Sequence, residues 1–134
     1  MLVQELMTAS PITVSRETPM FDARQLMQRE RIRHLLVTDG DELLGIVTDR
    51  DIRLNWPSQA TSLSVWELSY LLARVTVGEI MNHAVIRVGP GRDVRAAARL
   101  MLDHRIGALP VTEDGKIIGI ITETDLVRAL VSER

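Results

Sequence analysis

Residues 45–51 read GIVTDRD and residues 119–125 read GIITETD. Each stretch ends a short apolar run with Gly-apolar-apolar-Thr-x-x-Asp, and one offset of 74 carries Gly45 onto Gly119, Thr48 onto Thr122 and Asp51 onto Asp125. The same offset carries Met7 onto Met81 and Ile12 onto Ile86, with no gap. VQELM matches VGEIM, ITV matches IRV, RIRHLLVT matches RIGALPVT, and LLGIVT matches IIGIIT. A period of this length is one supersecondary unit written twice, each copy expected to need its sibling to bury an apolar face. The repeats span residues 1–54 and 77–134, with a connector at 55–76.

Both copies read alike. A short strand is predicted at 12–14 and again at 86–88. Thr18-Pro19 then offers a helix N-cap with proline at the first helical position, and the second copy uses Gly91-Arg92-Asp93 there. The helix runs to about 29 (103), with Ala23, Leu26 and Met27 on one face, matched by Ala97, Leu100 and Met101. Two apolar strands follow, at 34–38 and 43–48, joined into a hairpin by Asp39-Gly40-Asp41-Glu42. Their counterparts at 108–112 and 117–121 flank Glu113-Asp114-Gly115-Lys116. A second helix follows each GhhTxxD, where h is an apolar residue. The unit is β-α-β-β-α, and two of them make an α+β fold.

In the connector, Pro57, Ser58 and Gln59 read as loop. Ser64 and Glu67 then form a capping box, with Leu63 and Leu68 at the staple positions. Both tryptophans, Trp56 and Trp66, lie in this segment. Its helix is too apolar to stand alone, and two roles are open: a lid on its own core or a face for another subunit.

Composition narrows the function. Of 134 residues 46% are apolar but only 3% aromatic, so the core is aliphatic. Sixteen basic against eighteen acidic side chains leave a net charge of −2, which argues against DNA as a partner. Without cysteine there is no disulfide, thiol nucleophile or cysteine–zinc site. The opening MLVQELMTASP lacks the features of a secretory signal, and no apolar run reaches the ~18 residues of a membrane span. A cytoplasmic protein is expected. His34, His83 and His104 are scattered, so no metal site is expected. Gly89-Pro90-Gly91 lacks the rest of a dinucleotide fingerprint, and no Walker or GxSxG motif is present. With no catalytic constellation, the chain is not expected to be an enzyme.

Thr-x-x-Asp at a strand-to-helix junction has two compatible uses. It is a capping box, worth about 1 kcal/mol. It is also a ligand motif, because an ionised Asp accepts from the two hydroxyls of a ribose and a helix N-terminus attracts phosphate. The glycine leaves a bare strand position, where a flat ring or another backbone can approach. The run Arg29-Glu30-Arg31-Ile32-Arg33-His34 reads either as a solvated face or as a phosphate-facing patch.

The tandem GhhTxxD, the V-x-E-h-M openings, and the ITV/IRV and RIRHLLV/RIGALPV strands together resemble the cystathionine β-synthase (CBS) domain. Two such domains form a CBS pair, or Bateman module, and the resemblance covers both repeats. It implies a pseudo-two-fold pair that binds adenosine-containing ligands in clefts between the repeats, commonly as a homodimer. Carried over by position, one cleft combines Thr122, Thr124 and Asp125 with Thr18, Ala23, Ile32, Arg33 and His34. The other combines Thr48, Arg50 and Asp51 with Arg92, Ala97, Ile106, Gly107 and Ala108. Arg33-His34 against Gly107-Ala108 makes the two unequal. The ligand implied is AMP, ADP or ATP, with S-adenosylmethionine or NAD as alternatives, and no cofactor is required. The expected role is a regulatory, energy-sensing module acting on an unidentified effector in trans. A structural dimerisation module without a physiological nucleotide is the alternative. For the homodimer, Met27, Ala97, Ala98 and Met101 are candidate contacts.

Overall fold

The computed structural model describes residues 1–57 and 63–132, so the expected loop at Ser58 and Gln59 lies outside the described residues. The chain forms two compact units, residues 12–84 and residues 1–11 with 85–134. The sequence repeats and the compact units therefore have different edges. The opening VQELM segment packs with the second repeat, and its copy VGEIM packs with the first.

In the unit of residues 12–84, a short strand β1 (Thr13–Val14) leads to helix α1 (Met20–Glu30). The hairpin β2 (His34–Asp39) and β3 (Glu42–Thr48) follows, and helix α2 (Asp49–Asn55) continues directly from it. The connector helix α3 (Val65–Arg74) and the single turn α4 (Val77–Ile80) complete the unit. β1 pairs parallel to β2, and β2 pairs antiparallel to β3. Gly40, at φ +60°, takes the first turn position with little strain. Met20, Ala23, Leu35, Val47 and Val77 are fully buried in an aliphatic core.

The other unit opens with the turn α5 (Val3–Leu6) and strand β4 (Thr8–Ala9). Helix α6 (Val94–His104), the hairpin β5 (Ala108–Glu113) and β6 (Lys116–Thr122), and helix α7 (Glu123–Ser132) follow. β6 lies between β4 and β5, antiparallel to both. Val3, Leu109, Val111 and Ile121 centre its core.

Two local expectations change, and a third, the cap at Asp93, holds. Thr18 is not the cap of α1: Pro19 holds that position, the Met20 N–H donates to the Val75 carbonyl (2.7 Å), and the Thr18 hydroxyl accepts from the Ser15 N–H (3.2 Å). Asp93 caps α6 by accepting from the Arg95 N–H at 2.8 Å. The strand expected at 86–88 shrinks to one parallel bridge, Val88 with Val111. Pro110 explains this, since a second parallel bridge would need an N–H that proline lacks.

The connector serves its own unit along one edge. Trp56, Leu72 and Val75 pack against the core, and Trp56 stacks with Phe21 at 6.2 Å between ring centroids. Ser64 and Glu67 form the expected capping box. Trp66 stays 85% exposed, so the outer side of α3 covers nothing in its own unit.

Candidate functional site

Each Gly-apolar-apolar-Thr run ends a hairpin strand, and its Thr-x-x-Asp opens the next helix. Thr48 Oγ1 accepts from the Asp51 N–H (3.1 Å), while Asp51 Oδ2 accepts from the Thr48 N–H (2.9 Å). In the sibling, Asp125 Oδ2 accepts from both the Thr122 N–H (2.9 Å) and its hydroxyl (3.1 Å). Thr122 Oγ1 accepts from the Asp125 N–H at 3.3 Å. The capping use of the motif is thus realised twice. Asp51 is half-buried and Asp125 is buried. In both boxes the bonds fall on Oδ2, and Oδ1 accepts none among the described residues. A carboxylate has room for several donors, so each box keeps an acceptor for something else.

The glycine has a definite neighbour. At Gly45 the position of a Cβ lies 2.7 Å from Met81 Sδ and 2.8 Å from the Asn82 carbonyl oxygen; at Gly119 it lies 2.6 Å from Met7 Sδ and 2.9 Å from the Thr8 oxygen. Another backbone, not a flat ring, occupies the bare position. V-x-E-h-M and GhhTxxD are therefore two halves of one contact, which is why both recur.

Within the unit of residues 12–84, His34 pairs with Thr48 across the hairpin, and the Arg33 carbonyl accepts from the Asp49 N–H at 3.0 Å. Ile32, Arg33, His34, Thr48, Arg50 and Asp51 therefore gather at one end of the sheet. Thr18 does not join them, because the eleven residues of α1, about 16 Å of helix, intervene. Ala23 is fully buried in the core. The sibling unit repeats the pattern: Ala108 pairs with Thr122, and the Gly107 carbonyl accepts from the Glu123 N–H at 2.9 Å. Ile106, Gly107, Ala108, Thr122, Thr124 and Asp125 share that end. Ala97 is fully buried, while Arg92 lies before α6 with its carbonyl accepting from the Val3 N–H at 2.8 Å.

A cleft of about 440 Å³ opens between α1 and α2, and of the expected site residues it takes only Ile32 and Arg33. Arg31, from the run that reads either as a solvated face or as a phosphate-facing patch, also lines it, as do Arg24 and Arg53, which went unnoticed in the sequence. The signal was there: at the offset of 74, Arg24 faces Ala98, Arg33 faces Gly107 and Arg53 faces Val127. Among the described residues, no group of three or more acidic or histidine side chains could hold a metal ion, and no helix is long and apolar enough to cross a membrane.

The CBS domain profile matches this chain twice, over residues 3–56 and 77–132. The chain belongs to the CBS domain family. Its organisation as a tandem CBS pair also appears in relatives. A CBS domain-containing protein of Dictyostelium discoideum is 33% identical over 97% of this chain and 91% of its own length. An uncharacterised 33.4 kDa protein of Thermofilum pendens is 35% identical over 96% of this chain, which spans only 43% of that protein. Among solved structures, the CBS domain pair of protein MJ0100, in complex with 5′-methylthioadenosine and S-adenosyl-L-methionine, aligns at a TM-score of 0.82. It is 25% identical, and the alignment covers 100% of this CBS pair and 98% of that one. CBS domain pairs are generally regulatory rather than catalytic.

Proposed function

We propose that this CBS pair is a regulatory module that binds adenosine-containing ligands through its two Thr-x-x-Asp segments. The observation that carries the proposal is the acceptor oxygen left on Asp51 and Asp125 after each cap is complete. There it can receive two ribose hydroxyls, while the helix N-terminus and Thr hydroxyl lie beside it. An adenosyl-ligand complex of the MJ0100 pair supports the choice of ligand class. AMP, ADP and ATP are the first candidates, with S-adenosylmethionine and NAD after them. Arg33 and His34 favour a phosphorylated ligand on their side, whereas Gly107 and Ala108 offer no charge. The module performs no catalytic step, works in the cytoplasm and reports to an effector protein in trans.

Thermal unfolding tests this directly. A ligand that binds only the folded state, supplied at a hundredfold excess over its Kd, adds about 2.7 kcal/mol of stability. At least one of AMP, ADP, ATP, NAD and S-adenosylmethionine should produce such a shift. If none does, the second reading stands: a structural module whose Thr-x-x-Asp segments serve only as caps.

We also propose a homodimer, though not through three of the four residues first expected; the fourth, Ala98, is half-buried on α6. Met27, Ala97 and Met101 are buried in the cores of their own units and offer nothing to a partner. In the unit that carries α6 and α7, exposed apolar residues include Val127, Leu130 and Val131 on α7 and Leu102 on α6, while Leu54, Val65 and Trp66 are exposed in the other unit. Positions 127, 130 and 131 share one helix face, the usual form of a stripe that seeks cover. Light scattering should give about twice the 15.0 kDa chain mass, and Leu130→Glu with Val131→Glu should halve it. A wild-type mass near 15.0 kDa would rule the dimer out.

A further inference from the structure

Arg24, Arg31, Arg33 and Arg53 converge on the α1–α2 cleft, where the single carboxylate is Asp49. Its floor is apolar, formed by Met27 and Ile52. The placement follows from helix geometry: Arg24 lies on α1 with Arg31 at its C-terminal cap, and Asp49 and Arg53 lie one turn apart on α2. Arg24 is held with its guanidinium 4.3 Å from the centre of the Trp56 ring. Among the described residues, the one salt bridge joins Arg29 to Glu30, so none of the four cleft guanidiniums is paired with an acid.

The fold does not require this clustering. The sibling unit builds the same α–β–β–α arrangement with Ala98, Gly107 and Val127 in place of Arg24, Arg33 and Arg53. Like charges gathered in a concavity repel one another and focus a field that an anion neutralises. Guanidinium forks match phosphate oxygens two at a time, and a cleft of about 440 Å³ falls within the range of small-ligand sites.

We propose that this cleft is an anion site for a phosphoanhydride chain, the diphosphate or triphosphate class. It belongs to one unit, and neither Thr48 nor Asp51 lines it, so it goes beyond the ribose contacts, while through Arg33 it rests on the reading of a phosphorylated ligand above. A phosphoanhydride chain carries enough charge to offset four guanidiniums less one carboxylate, which a monoanion does not.

Calorimetry with pyrophosphate at constant ionic strength tests the site. The intact protein should bind it, and bind sulfate far more weakly. The double variant Arg24→Ala with Arg53→Val carries the residues of the sibling unit, and its affinity should fall about a hundredfold or more. Arg31→Gly is a second variant secure against misfolding. Arg31 sits at φ +56° as the C-terminal cap of α1, where glycine is unstrained, so stability should hold while affinity falls about tenfold. Asp51→Ala with Asp125→Ala should leave pyrophosphate binding intact. Tighter binding of ATP than of pyrophosphate, lost in the double arginine variant, would assign the chain to a nucleotide; equal binding would assign it to free diphosphate. The proposal is overturned if the intact protein gives no binding heat, if sulfate binds equally well, if the arginine variants keep full affinity, or if the aspartate variant loses it.

Discussion

Gly45→Ala is expected to destabilise the unit of residues 12–84 by about 2–3 kcal/mol, the upper part of the range for overpacking a filled site. The methyl group would meet two obstacles of different stiffness. Met81 has a flexible side chain and can swing aside. The Asn82 carbonyl, 2.8 Å from the new Cβ, cannot. It accepts from the Ile46 N–H at 3.1 Å, and the Asn82 N–H returns a bond to the Ile46 carbonyl at 2.9 Å. Making room means stretching both bonds or lifting the segment that carries Val77 and Met81 into the core. Gly119→Ala should cost a similar amount, because the Thr8 oxygen lies 2.9 Å from its Cβ and β4 pairs with β6 there. Gly89→Ala is the control, having nothing within 4 Å of the added carbon. Denaturant midpoints decide the matter: a Gly45→Ala protein as stable as the control would mean that the two backbones can part freely.

Asp125→Ala should reduce both stability and affinity, and the two losses report different roles. Removing the carboxylate leaves the Thr122 N–H and hydroxyl without the acceptor they now share. Loss of the cap costs about 1 kcal/mol, toward ~2 kcal/mol because Asp125 is buried. A cap has no influence on a ligand's Kd. A ribose acceptor does, and its removal should weaken adenosine-ligand binding by about one to two decades. Asp51→Ala should act in the same way from a half-buried position. If both variants lose stability but bind nucleotide as before, the motif is a cap and nothing more.

The parts of this fold that depend on local chemistry were legible in the sequence. Hairpin turns at Gly40 and Gly115, the cap at Asp93, the box at Ser64 and Glu67, and both helix–hairpin units follow from short-range rules that hold within a few residues. What escaped were relations set by distant chain. The bare strand position at Gly45 gave no hint that Met81 fills it. Pro110 shortened a neighbouring strand through a hydrogen bond it cannot donate. Met27, Ala97 and Met101 stand on apolar helix faces, but the sequence does not say whether such a face meets its own sheet or a partner. Arg24 and Arg53 come from different helices, so no spacing rule joins them. Only a comparison of the repeats position by position singles them out.

The pairing of residues 1–11 with residues 85–134 imposes an order of events on the growing chain. Residues 12–84 are contiguous and can close their core as soon as Val77 and Met81 have been made. The segment around Val3 and Met7 is synthesised before them and must wait for Val111, Gly119 and Ile121, which come later in the chain. Its contacts, such as Thr8 with Ile120, are far apart in sequence, the kind of closure that slows folding and leaves apolar residues uncovered in the interval. During that wait the free first segment resembles its own copy at residues 77–81, because VQELM and VGEIM offer the same Val and Met to the same kind of groove. A duplicated chain thus carries a built-in competitor for each of its own sites. Differences such as Gln4 for Gly78, whose Cβ position is 2.9 Å from the Arg16 backbone oxygen, keep the wrong copy out.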